Sequence, residues 1–526
     1  MKKLKIPILL LILIPICFSF TGATEYQGDA KISYILLEEK GNSAFFQERY
    51  NLNKGIVLSK LNFEALFNFN RSFHFNLSNL NADTRNIFMD LKIPKTFSFE
   101  AKHIRSRYIF DDLGDINSFR TNTSTALSFT PFEFLKLKGS YTHQKKTGER
   151  LSYPRNVHSF LGTKYDQTLQ AGEIGAQLKW ENKFLDISQG LREFKSELND
   201  SLNRRTYITK VSLNSPLGEK AYFSGQYFLN QAKVKESGKK LTSNFLGLAF
   251  SKKPNDKLLV FLKGSYWATK DEITSKKTDV LKGSLNLNYL LKNSTELQGG
   301  VELERRDEKN EDAFIVSFLL GALVKPSDKL TLKAKYQGSF SDYSNGVKVI
   351  YSDPGYYQGL LGEYNINKIL FEAKYKPKEQ LSFLVKYLDH SRENTDINTK
   401  AQSRTALVGA VLSCTKMKAD LEGEYSFSDS RYDNYLGSFH TNNHSITSKL
   451  SCSPLDKLNL FAGYNFLSLK KDLDIEKHNF FAGGSYEFYK QFSLEGSYHR
   501  FQYDDMKIIA NYYEANVVKI SLGKKF

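Results

Sequence analysis

The chain has 526 residues, with 40 Phe and 30 Tyr but only 11 Pro and 2 Trp, and a formal net charge of +17. Its mean hydropathy is −0.44, and beyond the N-terminal segment no apolar run reaches the ~20 residues a spanning helix needs, which excludes a helical membrane protein. In a cytosolic chain such a basic balance would point to nucleic acid, but here the strand pattern puts many lysines opposite the apolar face, and an electropositive lumen or loops near anionic lipopolysaccharide account for the charge.

Residues 1–23 read as a secretory signal peptide: Lys2, Lys3 and Lys5, an apolar core from Ile6 to Phe20, and the small residues Thr21, Gly22 and Ala23 before cleavage. Cys17 is not a lipid-attachment site, because Ile16 stands where such signals need a small residue. Residues 24–526 read as a single domain. Within it, residues 24–54 are too few for the plug domain of an energy-coupled transporter.

From there on, short segments alternate. An opening strand is expected near Ala30 to Leu37. In Leu135 to Tyr141 (LKLKGSY), Lys136 and Lys138 oppose Leu135, Leu137 and Tyr141. In Leu330 to Phe340 (LTLKAKYQGSF), Lys333 and Lys335 oppose Leu332, Ala334 and Tyr336. Glu422 and Glu424 oppose Leu421, Tyr425 and Phe427, and Phe492 to Tyr498 repeats the pattern. The closing segment, Val517 to Phe526, sets Val518, Ile520, Leu522 and Phe526 against Lys519, Ser521 and Lys525. A strand of period two with one apolar and one polar face can cross a bilayer in about ten residues. Its average composition stays polar, because only every second side chain meets lipid.

Tight turns are expected near Asn70, Pro94, Pro131, Asn182, Pro216, Pro254, Asn293, Pro326, Pro377, Lys416, Pro454 and Lys490, since Pro presets φ and Asn tolerates turn geometry. Longer polar stretches fall between them, near 107–118, 146–166, 194–204, 268–280, 342–355, 390–403 and 428–444, and read as loops. Twelve turns imply 24 strands, and the opening and closing strands bring the total to 26 (range 24–28). The expected fold is all-β: a transmembrane antiparallel up-and-down β-barrel in the cell outer membrane, with short periplasmic turns and longer extracellular loops. The terminal Phe526 resembles the sorting signal of such barrels, which implies the barrel assembly machinery as a partner, alongside outer-membrane lipid and lipopolysaccharide.

Cys414 and Cys452 precede successive tight turns and belong on strands separated by one other strand. That spacing is roughly 9–10 Å, beyond the ~7 Å limit between disulfide Cα atoms, so no bridge is expected. No CxxCH haem-attachment motif is present. His440 and His444 (HTNNH) have ligand-like spacing but read as part of a loop. Asp389 with His390, and Asp111, Asp112 and Asp115, lack a nucleophile or partner motif. No residue is therefore assigned a catalytic, cofactor-binding or metal-binding role, and the protein reads as a non-enzyme. The site candidates are the lumen-facing Lys136, Lys138, Lys333, Lys335, Glu422, Glu424 and Lys519, whose lysines could form an anion-attracting wall, with Phe526 as sorting signal.

A family resemblance accompanies this pattern. Phe46, Gln47, Glu48, Arg49 and Tyr50 are similar to an early Phe-x-Glu-Tyr-Arg-like stretch of the MtrB/PioB family of porin–cytochrome conduits. The strand pairs through Tyr108, Ile109, Phe110 and Asp111 are similar as well, so the resemblance covers roughly the first quarter of the chain. It implies a conduit or sheath for extracellular electron transfer, with a multihaem c-type cytochrome in the lumen and no cofactor on the barrel itself. Two alternatives stand beside it: a passive, anion-preferring porin, and an export barrel for polysaccharide or lipopolysaccharide.

Overall fold

A ladder of alternating apolar and polar positions satisfies its backbone only by pairing on both sides, and a closed ring is the arrangement that leaves no edge in lipid. The protein adopts that solution. Its computed structural model describes residues 23–526 except 42–53, 68–69, 80–83, 110–116, 153–160, 199, 201–202, 273–274, 293, 309–310, 344–364, 395–398, 417, 435–436, 490 and 508–511. The signal segment 1–22, the FQERY stretch, Phe110 and the aspartates 111, 112 and 115 lie outside the described residues.

In chain order the strands are β1 (Ala23–Gly41), β2 (Gly55–Phe67), β3 (Arg71–Ser78), β4 (Arg85–Ile93), β5 (Phe97–Ile109), β6 (Asn117–Phe132), β7 (Leu135–Ser152), β8 (Leu161–Trp180) and β9 (Lys183–Ser196). Next come β10 (Arg204–Pro216), β11 (Ala221–Val234), β12 (Lys240–Asn255), β13 (Leu258–Asp271), β14 (Lys276–Lys292), β15 (Thr295–Glu308), β16 (Glu311–Ser327) and β17 (Leu330–Tyr343). The last group is β18 (Asn365–Lys378), β19 (Leu381–Asn394), β20 (Thr399–Cys414), β21 (Ala419–Asn434), β22 (Gly437–Leu455), β23 (Leu458–Lys471), β24 (Ile475–Tyr489), β25 (Phe492–Asp505) and β26 (Tyr513–Lys525). The 26 strands form one antiparallel sheet in which each pairs with its sequence neighbours. β1 also pairs with β26, from Asp29↔Lys525 to Gly41↔Tyr513, which closes the barrel.

Ten of the expected turn residues fall at or beside the connections at one end, which is also the end holding both ends of the barrel, and Asn293 and Lys490 lie outside the described residues. That is the periplasmic end, by the rule that outer-membrane barrels keep their short turns there. The prolines act on the ladder just before the turn. Pro131, Pro254, Pro326, Pro377 and Pro454 each sit within a register skip, between Phe129 and Phe132, Lys252 and Asn255, Val324 and Ser327, Tyr375 and Lys378, and Cys452 and Leu455. A proline has no N–H to donate to the ladder, so pairing resumes one step later.

Four of the seven polar stretches read as loops, 146–166, 268–280, 390–403 and 428–444, are largely strand, while most of 107–118 and 342–355 lies outside the described residues. Residues 428–444 belong to β21 and β22 except for the two-residue connection 435–436, and β7 and β8 take up much of 146–166. Strands run from 8 to 20 residues rather than about ten. The reason is energetic: once two strands are in register, continuing their ladder satisfies backbone groups with or without lipid outside. Polarity on both faces therefore marks where the membrane ends, not where the strand ends. On β21 the outward residues are Leu421, Tyr425 and Phe427 and then Asp429, Arg431 and Asp433, so the apolar belt stops at Phe427.

Cys414 and Cys452 are both register partners of Ala419, one on either side of β21, and both thiols are free. We expect the protein to migrate identically on denaturing gels with and without reductant and to yield two thiols in the barrel domain on titration. A reductant-sensitive intramolecular link would contradict the register.

Candidate functional site in the lumen

Register fixes which side chains share the inward face. Through cross-strand partners, Lys138 aligns with Gly175 and Ser188, and Lys136 with Gln177 and Asp186. The opposite face carries Leu137, Ile174, Ile187, Leu246, Leu281, Leu320, Phe371, Val408, Leu450 and Ile520, all exposed. This continuous apolar face meets lipid, and the charged face lines the lumen.

Around Lys138 the lumenal charges are matched. Lys138 Nζ donates to Asp186, whose second oxygen accepts from Gln177 Nε2 at 2.7 Å. Glu173 accepts from Lys210 Nζ at 2.6 Å and from Ser188 Oγ at 2.8 Å. These residues apart from Gln177, with Lys136, Lys92, Asp90 and Glu100, line a recess of about 620 Å³. Similar pairs recur elsewhere: Lys60 with Asp29 at 2.9 Å, Lys282 with Glu302 at 2.7 Å, and Lys31 with Glu495 across β26. Each is open to solvent, so it contributes at most about 1 kcal/mol. The effect on local potential is larger, because each pair removes a free cation from the wall.

Lys333 lies opposite Glu372, and Lys335 opposite Leu370. Glu422 and Glu424 lie opposite Lys449 and Thr447 and line a recess of about 640 Å³ with Lys329, Lys374 and Phe481. Lys519 stands on β26 between Ile35 of β1 and Ser497 of β25. Phe526 extends the seam by one step: Gly28 N–H donates to its carbonyl at 2.7 Å, and its own N–H donates to Gly28 O at 2.9 Å.

The seam also holds something the alternation did not reveal. On the inward face, Ile35, Val57, Phe501, Tyr503, Tyr513, Ala515 and Val517 form an apolar cluster exposed by only 0–5%. Below it, Ser33 Oγ lies 2.8 Å from Ser521 Oγ and accepts from Ser59 Oγ at 2.5 Å. Tyr513, Ala515 and Val517 share the parity of Lys519 and Ser521, so the "polar" side of the closing strand turns apolar toward its extracellular end. The signal was present in residues 513–517, upstream of the segment where alternation is cleanest.

No candidate for chemistry comes together. His440 and His444 belong to β22 rather than a loop. Four strand positions separate their Cα atoms by roughly 13 Å, too far for two imidazoles on one ion. His444 Nδ1 lies 2.9 Å from the Tyr425 hydroxyl, and His440 Nε2 lies 2.6 Å from Asp429 Oδ1. Beyond the belt, the His440 hydrogen bond, with the Lys471 charge beside it, holds the Asp429 carboxyl below the usual carboxylate range. Asp389 and His390 are consecutive in β19 and so project to opposite faces, and Asp389 faces Arg404 at 3.4 Å. Among the described residues no group of three or more His, Cys, Asp or Glu could hold a metal ion.

No protein-family model matches the chain, and no curated protein matches its sequence. Solved structures match its fold. The siderophore receptor PirA from Pseudomonas aeruginosa is similar at 12% identity and TM-score 0.50, over 84% of this chain and 87% of the receptor. A variant of the ferric enterobactin receptor PfeA from the same organism is similar at 10% identity and TM-score 0.51, over 96% and 81%. The copper transporter OprC is similar at 9% identity and TM-score 0.50, over 96% and 81%. At such identities the likeness is one of fold. The two receptors and the transporter named here are not porin–cytochrome conduits. Fold, lipid-facing belt and closure together define a large β-barrel of the outer membrane.

Proposed function

We propose that this protein is a non-enzymatic conduit across the outer membrane, with its lumen as the working route. The observation behind this reading is the closed ring of 26 strands with a charged inward face. At a strand spacing of about 4.8 Å and a tilt of about 40°, a round ring of that size is about 50 Å across between backbones. Barrels of 16–18 strands already leave an aqueous channel, and larger transporters carry a plug. Among the described residues every element is a strand or a turn, and none forms a plug domain. A lumen of this width suits a second component housed inside it, and the MtrB/PioB-like features make a multihaem c-type cytochrome that component. The barrel would then insulate and position the haems while holding none. Phe526 would serve the barrel assembly machinery, and the polar strand extensions would meet lipopolysaccharide.

A second reading, a passive porin, is favoured by the hydrophilic, ion-paired wall around Glu173 and Asp186. Purification from native membranes followed by planar-bilayer recording separates the two. Haem absorbance that co-purifies with the barrel, together with little steady current, is the expected result for the sheath. Large steady conductance from haem-free protein would replace it with the porin.

A further inference from the structure

Lumenal charge is not spread evenly. On β17–β19 the register sets inward residues in five rows from the periplasmic to the extracellular end. They are Thr331–Lys374–Leu384, Lys333–Glu372–Lys386, Lys335–Leu370–Leu388, Gln337–Lys368–His390 and Ser339–Ile366–Arg392. Every row holds at least one cation, six in all, and the rows hold one carboxylate. Glu372 is engaged by Lys374 at 3.2 Å. Lys333, Lys368, Lys374 and Arg392 are exposed, and Lys335 and Lys386 are half-buried. Eight residues of strand separate the first row from the last, about 27 Å along the strand, or about 21 Å along the membrane normal at a tilt of about 40°, roughly two thirds of the ~30 Å hydrocarbon core.

The flanks keep this column distinct. Inward positions of β16 carry Ile315, Ser317, Leu319, Gly321 and Leu323, and those of β20 carry Ser403, Thr405, Leu407, Gly409 and Val411, none of them charged. The acidic Glu422 and Glu424 of β21 are thus two strand spacings from β19, roughly 9–10 Å, and they share a recess with the first row of the column, Thr331, Lys374 and Leu384. The wall around Lys138 differs, because its lysines face carboxylates at hydrogen-bonding distance.

We propose that this column is an anion lane, along which small multiply anionic solutes bearing phosphate or carboxylate groups pass from cation to cation through the lumen. The proposal rests on the second reading, in which the lumen is open to solute, and names what that route selects. Cations repeated at every level remove the barrier a single ring would leave between sites, and a charged wall of one sign raises the local concentration of its counter-ion. Lysine is suited to this use, since a hydrated ammonium on a flexible stem holds an anion without fixing its geometry.

The test compares two fourfold variants of the full barrel in planar bilayers under a KCl gradient. One carries Lys333→Gln, Lys335→Gln, Lys368→Gln and Lys386→Gln. The other removes four paired lumenal lysines, by Lys31→Gln, Lys138→Gln, Lys210→Gln and Lys282→Gln. The parent is expected to show a reversal potential biased to chloride. The lane variant should move toward parity, and the paired-lysine variant should move clearly less. An unbiased parent, or equal shifts in both variants, overturns the lane. Heat-modifiable gel migration checks that each barrel is folded, and the double variant of Lys335→Gln and Lys368→Gln serves if the fourfold one fails. A parent that passes no current overturns the open lumen and the lane with it, whereas an unbiased current overturns the lane alone.

Discussion

Leu320→Arg is expected to destabilise the inserted barrel by about 2–4 kcal/mol, whereas Leu319→Arg, one residue earlier, leaves it close to the parent. Leu320 is 59% exposed on the outward face of β16, seven residues before the Ser327 end of the strand, opposite Gly299 and Tyr336. Its exposed surface is lipid contact, and an arginine there near the bilayer midplane costs about 2–4 kcal/mol. Leu319 points inward between Gly300 and Gln337, where an arginine meets the polar Gln337 and the Asn286 amide that covers the glycine. Its replacement should change stability by no more than about 1 kcal/mol. Urea unfolding in lipid vesicles, followed by tryptophan fluorescence and heat-modifiable migration, reads both. Equal destabilisation by the two substitutions would invert or erase the assignment of faces, and the lumenal site with it.

The second large effect lies at the seam. A Cβ on Gly28 would stand 2.6 Å from the backbone oxygen of Asn62 and 2.7 Å from the Phe526 ring. No rotamer change relieves the first contact, because it is with backbone of β2. Gly28→Val should therefore block closure, giving protein that fails to acquire heat-modifiable migration, and Gly28→Ala should cost about 1–3 kcal/mol as overpacking. The same Gly28→Ala change made in a Phe526→Ala background separates the two contacts. Removing the ring leaves the Asn62 contact in place, so the penalty should persist. Full rescue by Phe526→Ala would mean that the ring alone sets the constraint.

Much of this architecture was legible because its signals are local. Period-two alternation marked the strands. Turn residues at twelve places gave the count, and parity placed Lys136, Lys138, Lys333, Lys335, Glu422, Glu424 and Lys519 on the faces that carry charge. The two cysteines show how far local reasoning reaches: turn spacing alone put one strand between them, and Ala419 occupies that strand. Strand ends were less legible. HTNNH looked like a loop because both faces of β22 are polar there, yet the ladder with β21 continues to Gly437.

What the sequence by itself determined is the set of staves: their number, their direction, their lipid face and their address. Each of these depends on residues within about ten positions of one another. Tertiary structure alone decided which charges meet. Lys138 finds Asp186 and Lys210 finds Glu173 across intervening strands, while Lys333, Lys335, Lys368 and Lys386 gather on one wall with a single carboxylate. Residues 37 to 48 positions apart become neighbours only through register and curvature. The same lysine that reads as one more polar position in a strand is therefore neutralised on one side of the lumen and part of a continuous cation column on the other.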